Sequence, residues 1–225
     1  MKVISIKPQE TYEWLIKIHY ARRIPSITYA FGLYENNEML GCVTYGCPAS
    51  PFLCEGIAGK PNKRIVFELN RLVFKKTVKN GPSFLVSQSL KMLPKPTIVV
   101  SFADTHQGHI GYVYQATNFI YTGLSAKRTD WKVKGMEHLH GKTMADMAKN
   151  SCGGGKAEYM REKYKDDFYL EERSRKHRYI YICANRKDKK RLLSELLYKQ
   201  EPYPKGESTR YEIFHNPSEQ QLLFI

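Results

Sequence analysis

The chain has 225 residues, 42% of them hydrophobic and 12% aromatic, which is enough for one sizeable core but short for two full domains. Lysine and arginine number 36 against 22 acidic residues, and the resulting charge of +14 favours a polyanionic partner such as nucleic acid, although a basic surface can also serve solubility alone. No apolar run is long enough for a signal peptide or a bilayer-spanning helix, and five cysteines without paired spacing exclude a zinc-finger pattern or a secreted disulfide scaffold. We therefore expect one domain with reduced thiols, in a cytoplasm and away from membranes.

The first half of the chain predicts a helix, a hairpin and then a helix between two strands. Apolar side chains at helical spacing favour a helix from Thr11 to Tyr20, and Pro25 closes the segment that follows it. The pattern then predicts strands over 26–33 and 39–45 joined by an asparagine turn, a proline- and glycine-rich loop over 46–63, a strand over 65–74, a turn at 80–83 and a helix over 83–93.

The second half begins with a clear strand and becomes weaker. The pattern predicts a strand over 97–103, a helix over 109–117, a strand over 120–124, an amphipathic turn over 143–149, a helix over 157–164, a strand over 179–183, a basic helix over 186–198 and an extended tail from 201. This order predicts an α/β fold with a mixed central sheet flanked by helices and a basic C-terminal extension. As a single domain, 1–225, it would have a core of about 10–135 plus the strand 178–184, an insertion at about 136–172, and a basic helix and tail at 185–225.

The stretch from Asp104 to Gly123 carries the strongest chemical signal. It follows the apolar strand 97–103, and α/β sheets place their sites just beyond the ends of such strands. Asp104 could be a metal ligand, a general base, or the N-cap of a helix beginning near His109. Because His106 and Tyr114 lie in the same stretch, we favour a functional Asp104 with Tyr114 beside it.

Other polar side chains admit two interpretations each. Glu68 and Arg71, near the end of the strand 65–74, could form a structural ion pair or hold the carboxylate or amide of a small substrate. Ser83 could cap its helix, or its neighbouring N–H groups could bind an anion such as phosphate. His19 and Tyr20, at the predicted end of the first helix, could place a charge near the negative end of the helix dipole or belong to a site.

Basic residues with aromatic neighbours predict a DNA-binding surface. Each cation alone is more often a solvated surface charge, so the prediction depends on the whole set. The residues are Arg22, Arg23, Lys127, Arg128, Trp131, Lys132, Arg175, Lys176 and Arg178, with Lys134, Tyr179 and Tyr181 nearby.

The element order resembles that of the GNAT acyltransferases, including their closing pattern of a tyrosine followed by Asn-Phe, here Tyr114 to Phe119. More specifically, four segments resemble the bacteriophage Mom family of DNA-modification proteins: 19–25, 68–71, 83–85 and 104–123. This resemblance covers about 15–135, and Arg175 to Tyr179 adds weaker similarity. It implies conversion of the adenine N6 amine in duplex DNA to N6-carbamoylmethyl adenine, which protects phage DNA from host restriction in the bacterial cytoplasm.

The resemblance also implies a bound iron ion and ancestry among acyl-CoA-dependent enzymes. An imidazole and carboxylate set suits non-haem Fe²⁺, so we predict His19, Tyr20 and Asp104 as ligands, with Tyr114 as an alternative. The predicted catalytic residues are Asp104, Tyr114, Arg71, Glu68 and Ser83. Acetyl-CoA or another acyl donor would bind at Asn80, Gly81, Ser83 and Phe84, but the turn 79–84 departs from the acyltransferase pyrophosphate loop, Gln/Arg-x-x-Gly-x-Gly/Ala.

Two other functions compete with DNA modification. The element order alone would also suit an acyl-CoA-dependent N-acyltransferase of a protein or small-molecule amine. A basic DNA-binding protein without catalysis would make the polar cluster at 104–114 a coincidence. Double-stranded DNA is the predicted partner, and a homodimer is left open.

Overall fold

The structure, a computed structural model, describes residues 1–139, 141–151 and 155–206. It divides into two compact units. The first contains residues 1–124 and the chain from Lys176, and the second contains residues 125–175. The second unit begins before and ends after the insertion predicted at 136–172, and the single-domain organisation stays a prediction.

A seven-stranded sheet forms the centre of the first unit. Its strands are β1 (Lys2–Ile6), β2 (Tyr29–Glu35), β3 (Glu38–Gly46), β4 (Val66–Phe74), β5 (Thr97–Asp104), β6 (Ile120–Leu124) and β9 (Lys176–Cys183), in the order β1-β2-β3-β4-β5-β9-β6. Only β4 and β5 pair in parallel, and the other neighbours are antiparallel. The predicted α/β fold with a mixed sheet flanked by helices is confirmed.

The helices of this unit cover both faces of the sheet. They are α1 (Tyr12–Lys17), α2 (Pro51–Asn62), α3 (Gly81–Met92), α4 (Tyr112–Ala116) and α7 (Arg186–Ser194). Alternation along the strands sends Val99 and Tyr179 into a core with α3 and α4, whereas Ile98 and Ile180 pack on the other face against α2 and α7. α1 covers the same second face further along, where Trp14 meets Val73 of β4.

The second unit has its own small core. It contains the antiparallel pair β7 (Arg128–Val133) and β8 (Phe168–Arg173), with α5 (Gly141–Ser151) and α6 (Lys156–Tyr164). Val133, Met144, Ala148 and Met160 are buried together. The helix predicted at 157–164 is confirmed, and the amphipathic turn at 143–149 is part of α5.

Several predicted boundaries were wrong. The loop predicted at 46–63 contains α2, because Pro51 opens a helix whose buried Cys54, Ile57 and Ala58 share one face, with a kink where Gly59 has φ 77°. Edge strand β1 and the pair β7–β8 were missed, and β9 begins at Lys176 rather than at 179. α1 and α7 are shorter than predicted: α1 ends before His19, and α7 before Leu196 and Leu197.

Residues beyond α7 pack on the sheet instead of extending freely. Glu201 donates its backbone N–H to the carbonyl of Tyr121 at 2.9 Å, and the Tyr203 hydroxyl donates to the carbonyl of Phe119 at 2.6 Å. This segment covers the outer edge of β6, a position that would otherwise expose unpaired backbone groups. The rest of the predicted tail, 207–225, and the glycines at 153–154 lie outside the described residues. No helix in the described ranges has the length and apolar composition needed to cross a bilayer.

Candidate functional site

The candidate site lies where β4 and β5 separate. Their parallel pairing joins 66–68 to 98–100 and goes no further, although both strands continue. A pocket of about 120 Å³ opens beside the diverging residues 68–72 and 102–103. The turn after α1, the loop before α4, α4 itself and the first residue of β9 complete its lining. The expectation that a site lies just beyond the strand 97–103 agrees with this placement.

A bulge in β4 directs two charged side chains to the same face of the sheet. The register with β3 shifts at Asn70, so that Tyr45 pairs with Leu69 but Thr44 pairs with Arg71. Residues three apart in a regular strand face opposite sides, and one extra residue restores the same side. Asn70 holds the bulge by accepting from the Thr44 hydroxyl at 2.6 Å and donating to the carbonyl of Ser26 at 2.8 Å. Glu68 and Arg71 can therefore both face the pocket.

Glu68 and Arg71 do not form an ion pair with each other, which was one of the two possibilities that the sequence left open. The carboxylate of Glu68 has no hydrogen bond or salt bridge to any described residue, and burial raises its pKa despite the charges of Arg71 and Lys176. Arg71 donates to the carbonyls of Asn70 at 2.6 Å and Arg23 at 3.4 Å, and its buried Nε has no acceptor within the described residues. Opposite charges thus line the pocket without neutralising each other directly.

His19 and Tyr20 lie in the turn after α1 and line the pocket from the other side. The two rings stack with centroids 4.4 Å apart, and Nδ1 of His19 accepts the backbone N–H of Ala21 at 3.1 Å. Burial, with smaller effects from Arg71 and His109, lowers the pKa of His19 to about 3. The lowered pKa and the accepting Nδ1 indicate a neutral imidazole with its proton on Nε2, which counts against the interpretation of His19 as a cation at the helix end.

Asp104 lies at the end of β5, next to the pocket lining. One oxygen accepts the backbone N–H of His106 at 3.0 Å and caps the short 3₁₀ helix Thr105–Gln107, and the other lies 2.9 Å from Nζ of Lys176. The capping interpretation is thus partly right, but the capped segment is not the helix predicted from His109. That helix, α4, begins at Tyr112.

The loop between Asp104 and α4 contributes His109 and Gly111 to the pocket. Burial lowers the pKa of His109, although the charge of Asp104 opposes this effect. Gly111 has φ 81°, and a Cβ at this position would lie 2.4 Å from the ring of Tyr179. The Tyr179 hydroxyl donates to the carbonyl of Ile110, and Gln115 donates to the same carbonyl at 3.1 Å. These contacts fix the loop and require a glycine at 111.

Tyr114, predicted as catalytic, lines the pocket from α4. Burial raises its pKa to about 12, with a hydrogen bond to Ser101 acting in the opposite direction. The Ser101 hydroxyl in turn donates to the carbonyl of Leu69 at 2.9 Å, which connects the two diverging strands. Tyr114 is therefore a neutral phenol at physiological pH.

The residues predicted to bind a cofactor, Asn80, Gly81, Ser83 and Phe84, lie at the start of α3 and do not line the pocket. The backbone N–H of Gly81 donates to the carbonyl of Val78, and the backbone N–H of Phe84 donates to the carbonyl of Asn80. Pro82 has no backbone N–H. Among residues 81–84, Ser83 therefore has the one backbone N–H that is not already hydrogen-bonded. Ser83 is not the cap, because its hydroxyl donates back to the carbonyl of Asn80 at 3.1 Å. An anion at a helix start needs several free N–H groups, so these residues do not fit an acyl-CoA pyrophosphate.

The predicted iron ligands do not present a ligand set in this arrangement. A histidine that binds metal uses an unprotonated nitrogen and donates its other N–H, whereas in His19 the nitrogen facing Ala21 is the acceptor. Both oxygens of Asp104 are engaged. Among the described residues, no three His, Cys, Asp or Glu side chains are grouped to hold a metal. The iron site stays a prediction that these contacts do not favour.

The predicted DNA-binding residues divide between the two units and differ in availability. Arg22, Arg23 and Arg128 are exposed. Lys127 is exposed and 3.8 Å from Glu172, and Lys132 is engaged by Glu171 at 3.4 Å. The remaining members have packing or pairing contacts: Trp131 with Phe168, Arg175 with the carbonyl of Ser125, Lys176 with Asp104, and Arg178 with Thr122 and the ring of Tyr198. Tyr179 is fully buried, so it is not available to stack on a base.

Comparison with known proteins decides the family. Residues 1–205 match the family model described as the Mom protein family. The chain belongs to the Mom family. It is 30% identical over 196 residues to the protein named methylcarbamoylase mom of Escherichia phage Mu, covering 83% of this chain and 76% of that relative. It is also similar to the crystal structure of an N-acetyltransferase from Staphylococcus aureus Mu50, with a TM-score of 0.42 and 13% identity over 81% of this chain and 98% of that one, a similarity too low to carry an argument.

The family membership confirms the resemblance inferred from the four segments. Three of those segments supply pocket residues in this Mom-family chain: His19, Glu68 and Tyr114. The fourth, 83–85, lies on α3 away from the pocket. Sequence reasoning missed His109 and Lys176 as pocket residues, taking His109 for a helix start and Lys176 for a DNA contact. The sequence signal for His109 was the polar stretch after β5, whereas Lys176 was brought to the pocket by the pairing of β9 with β5, which the sequence did not predict.

Proposed function

We propose that this Mom-family protein is an enzyme that modifies adenine in duplex DNA, converting the N6 amine to an N6-carbamoylmethyl group and so protecting phage DNA from host restriction. The name of the phage Mu relative, methylcarbamoylase, supports the nature of the added group. The observation that carries the proposal is the pocket, where Glu68 and Arg71 face a small cavity without an ion pair. Charged groups left in this state in a cleft are typical of sites that receive a ligand.

The pocket size suits one planar ring better than a long cofactor. Its volume of about 120 Å³ is below that of a cavity that holds benzene, about 150 Å³, so a long cofactor does not fit, and adenine, with two fused rings, would enter only in part. Chemistry on N6 inside a duplex is sterically restricted, so the adenine would be extruded into the protein. The exposed ring of Tyr20 offers an aromatic surface at the pocket.

The pocket side chains can divide the work of the transfer. As N6 forms a bond to the donor's carbon, the bond from that carbon to the donor's leaving group breaks and N6 loses a proton. Glu68, whose pKa is raised by burial, is the carboxylate that would accept this proton. His19 offers an Nε2–H donor, and Tyr114 a hydroxyl. Asp104 holds Lys176, which keeps the ammonium at the pocket wall. Iron, if it binds, would supply oxidative or Lewis-acid chemistry, and elemental analysis of the purified protein tests that prediction.

DNA is the partner that this function requires. A net charge of +14 and the exposed Arg22, Arg23 and Arg128 support binding to the phosphate backbone. We expect DNA affinity to fall steeply with rising salt, by orders of magnitude between about 50 and 200 mM. An affinity for DNA that does not change with salt would contradict binding through the phosphate backbone. Action on phage DNA would place the protein in the host bacterial cytoplasm, and a homodimer stays an untested prediction.

Nucleoside analysis tests the function directly. DNA from cells that express the protein is digested to nucleosides and measured by mass spectrometry, with empty-vector cells as the reference. We expect a modified deoxyadenosine bearing a carbamoylmethyl group, and its loss in Asp104→Ala while DNA binding persists. DNA that contains only unmodified deoxyadenosine, despite soluble protein, would refute the function. Retained modification in Asp104→Ala would refute a role for Asp104.

An acyl-CoA-dependent N-acyltransferase is the second candidate function. The connection from β4 through α3 to a parallel β5, with the strands diverging beyond it, leaves an opening that could admit an acyl donor. The committed amides at the start of α3 count against CoA. Acylation of a protein or small amine that depends on added acetyl-CoA, with DNA unmodified, would favour this candidate.

A further inference from the structure

Two charged side chains of β4, Glu68 and Arg71, line the same small pocket without forming an ion pair with each other. Because of the bulge at Asn70, the side chains of Glu68 and Arg71 lie on the same face of the sheet, and both line the pocket. Arg71 is anchored by two backbone carbonyls, those of Asn70 and Arg23, so its guanidinium has little freedom to move toward Glu68. Its buried Nε has no acceptor in the described part of the chain. The pair therefore presents a donor and an acceptor from one strand.

The charges around the pocket nearly cancel. Lys176 is paired with Asp104 at 2.9 Å, and His19 is neutral, which leaves one carboxylate and one guanidinium to meet a ligand. A ligand with a single charge would satisfy one of these groups and be repelled by the other. An uncharged group with an oxygen acceptor and an N–H donor side by side satisfies both.

We propose that Glu68 and Arg71 form a subsite for a neutral primary carboxamide, in which Arg71 donates to the carbonyl oxygen and Glu68 accepts from the NH₂ group. The inference rests on the proposed function, because a carboxamide is the end group of the carbamoylmethyl unit. It adds that the site selects an amide over the corresponding carboxylic acid. Selection follows because a carboxylate would meet the like charge of Glu68, and because a site built to hydrogen-bond an NH₂ strongly rejects an analogue that lacks it.

Small-molecule binding to the full chain tests the subsite without DNA. The probes are acetamide, acetate and glycine, and their affinities are measured by ligand-observed NMR at constant pH and ionic strength. We expect acetamide to bind the wild-type protein more tightly than either charged probe. Glu68→Gln keeps the side-chain size but removes the like charge, so we expect the acetamide-to-acetate affinity ratio to fall about tenfold.

Two more variants make the result decisive. Arg71→Lys keeps the positive charge but loses the planar donor group, and we expect it to weaken acetamide binding. Glu13→Gln is the matched control, because Glu13 is an exposed carboxylate paired with Lys17 on α1, and we expect it to keep the wild-type ratio. Circular dichroism shows which variants are folded. If Arg71→Lys does not fold, the acetamide-to-acetate affinity ratio of Glu68→Gln alone tests the carboxamide subsite.

Three outcomes would overturn the proposal. They are equal binding of acetamide and acetate by the wild-type protein, a ratio unaffected by Glu68→Gln, and tighter binding of glycine, which would indicate a zwitterion site. The proposed function fails separately, when expressing cells contain no modified deoxyadenosine.

Discussion

The pocket beside β4 and the start of α3 are both candidate binding sites, and they differ in whether their polar groups are already committed. At the start of α3, Gly81 and Phe84 donate their N–H groups within the turn, and Pro82 has none. In the pocket, Glu68 makes no hydrogen bond or salt bridge to a described residue, and Nε of Arg71 has no acceptor among them. A polar group that is buried and uncommitted is costly to the free protein, and a ligand can recover that cost.

This difference explains why a helix start with favourable composition is a poor binding site here. Sequence composition at 80–84, with asparagine, glycine, proline and serine, is typical of a turn that precedes an anion site. The hydrogen bonds show that the same residues close the turn on itself. The comparison leads to four tests, of which the first separates the two regions by activity.

Removing the carboxylate of Glu68 should have the largest effect. We expect Glu68→Ala to reduce the yield of modified deoxyadenosine by at least about 100-fold, because proton transfer by a placed side chain contributes about 10²–10⁴-fold. Ser83→Ala removes one exposed hydrogen bond, to Asn80, and should leave the yield within about twofold. Mass spectrometry of nucleosides, normalised to protein level, measures both. An equal loss in Ser83→Ala would place α3 in the site.

The loop that borders the pocket should be sensitive to a single methyl group. Gly111→Ala would bring a Cβ to 2.4 Å from Tyr179 at φ 81°, so we expect unfolding to become easier by about 2–4 kcal/mol, from overpacking and backbone strain together. Gly108→Ala is the control, because φ is 65° there but nothing lies within 4 Å. It should cost about 1–2 kcal/mol. Urea denaturation compares them, and equal losses would show that Tyr179 does not constrain the loop.

The fold was predicted from sequence where patterns were regular and missed where composition misled. Apolar periodicity and the positions of prolines predicted the strands over 65–74 and 97–103 and the helix between them, α3. α2 was missed because glycine and proline within 51–62 look like a loop, although its kink at Ala58 and Gly59 lets the chain contain them. β7 and β8 were missed because half-exposed strands with many charges show little alternation.

The candidate site was predicted in part, for a similar reason. Polar residues at 19–20, 68–71 and 104–114 stand out in the sequence, and the sheet brings them together. Which of them lack partners is decided by long-range contacts, such as Lys176 on β9 reaching Asp104 on β5. The bulge at Asn70, which decides where Glu68 and Arg71 point, has no clear mark in the local pattern.

The free energy of unfolding of the protein should depend on pH through Glu68. Burial raises its pKa above the ordinary value of 4.5, so the folded state holds the proton more tightly than the unfolded state. Stability contributed by this group is complete below the unfolded pKa and is lost as pH rises through the folded pKa. We expect Glu68→Gln to be more stable than the wild type at neutral pH, by about 0.5–2 kcal/mol, and the difference to vanish in acid. A constant difference across pH, measured by urea denaturation, would contradict a buried charge.

Restoring an amide at the start of α3 should have the smallest effect. Pro82→Ala adds an N–H in the first turn, and the loss of the rigid ring should lower stability by only about 0.4–1 kcal/mol. Pro51→Ala, at the first position of α2, is the matched control for that loss. If committed amides are what disqualify this helix start, pyrophosphate should raise the melting temperature of Pro82→Ala more than that of the wild type or Pro51→Ala. A wild-type protein already stabilised by pyrophosphate to the same extent as Pro82→Ala would mean that one free amide, at Ser83, is enough, and the distinction between the two regions would then fail.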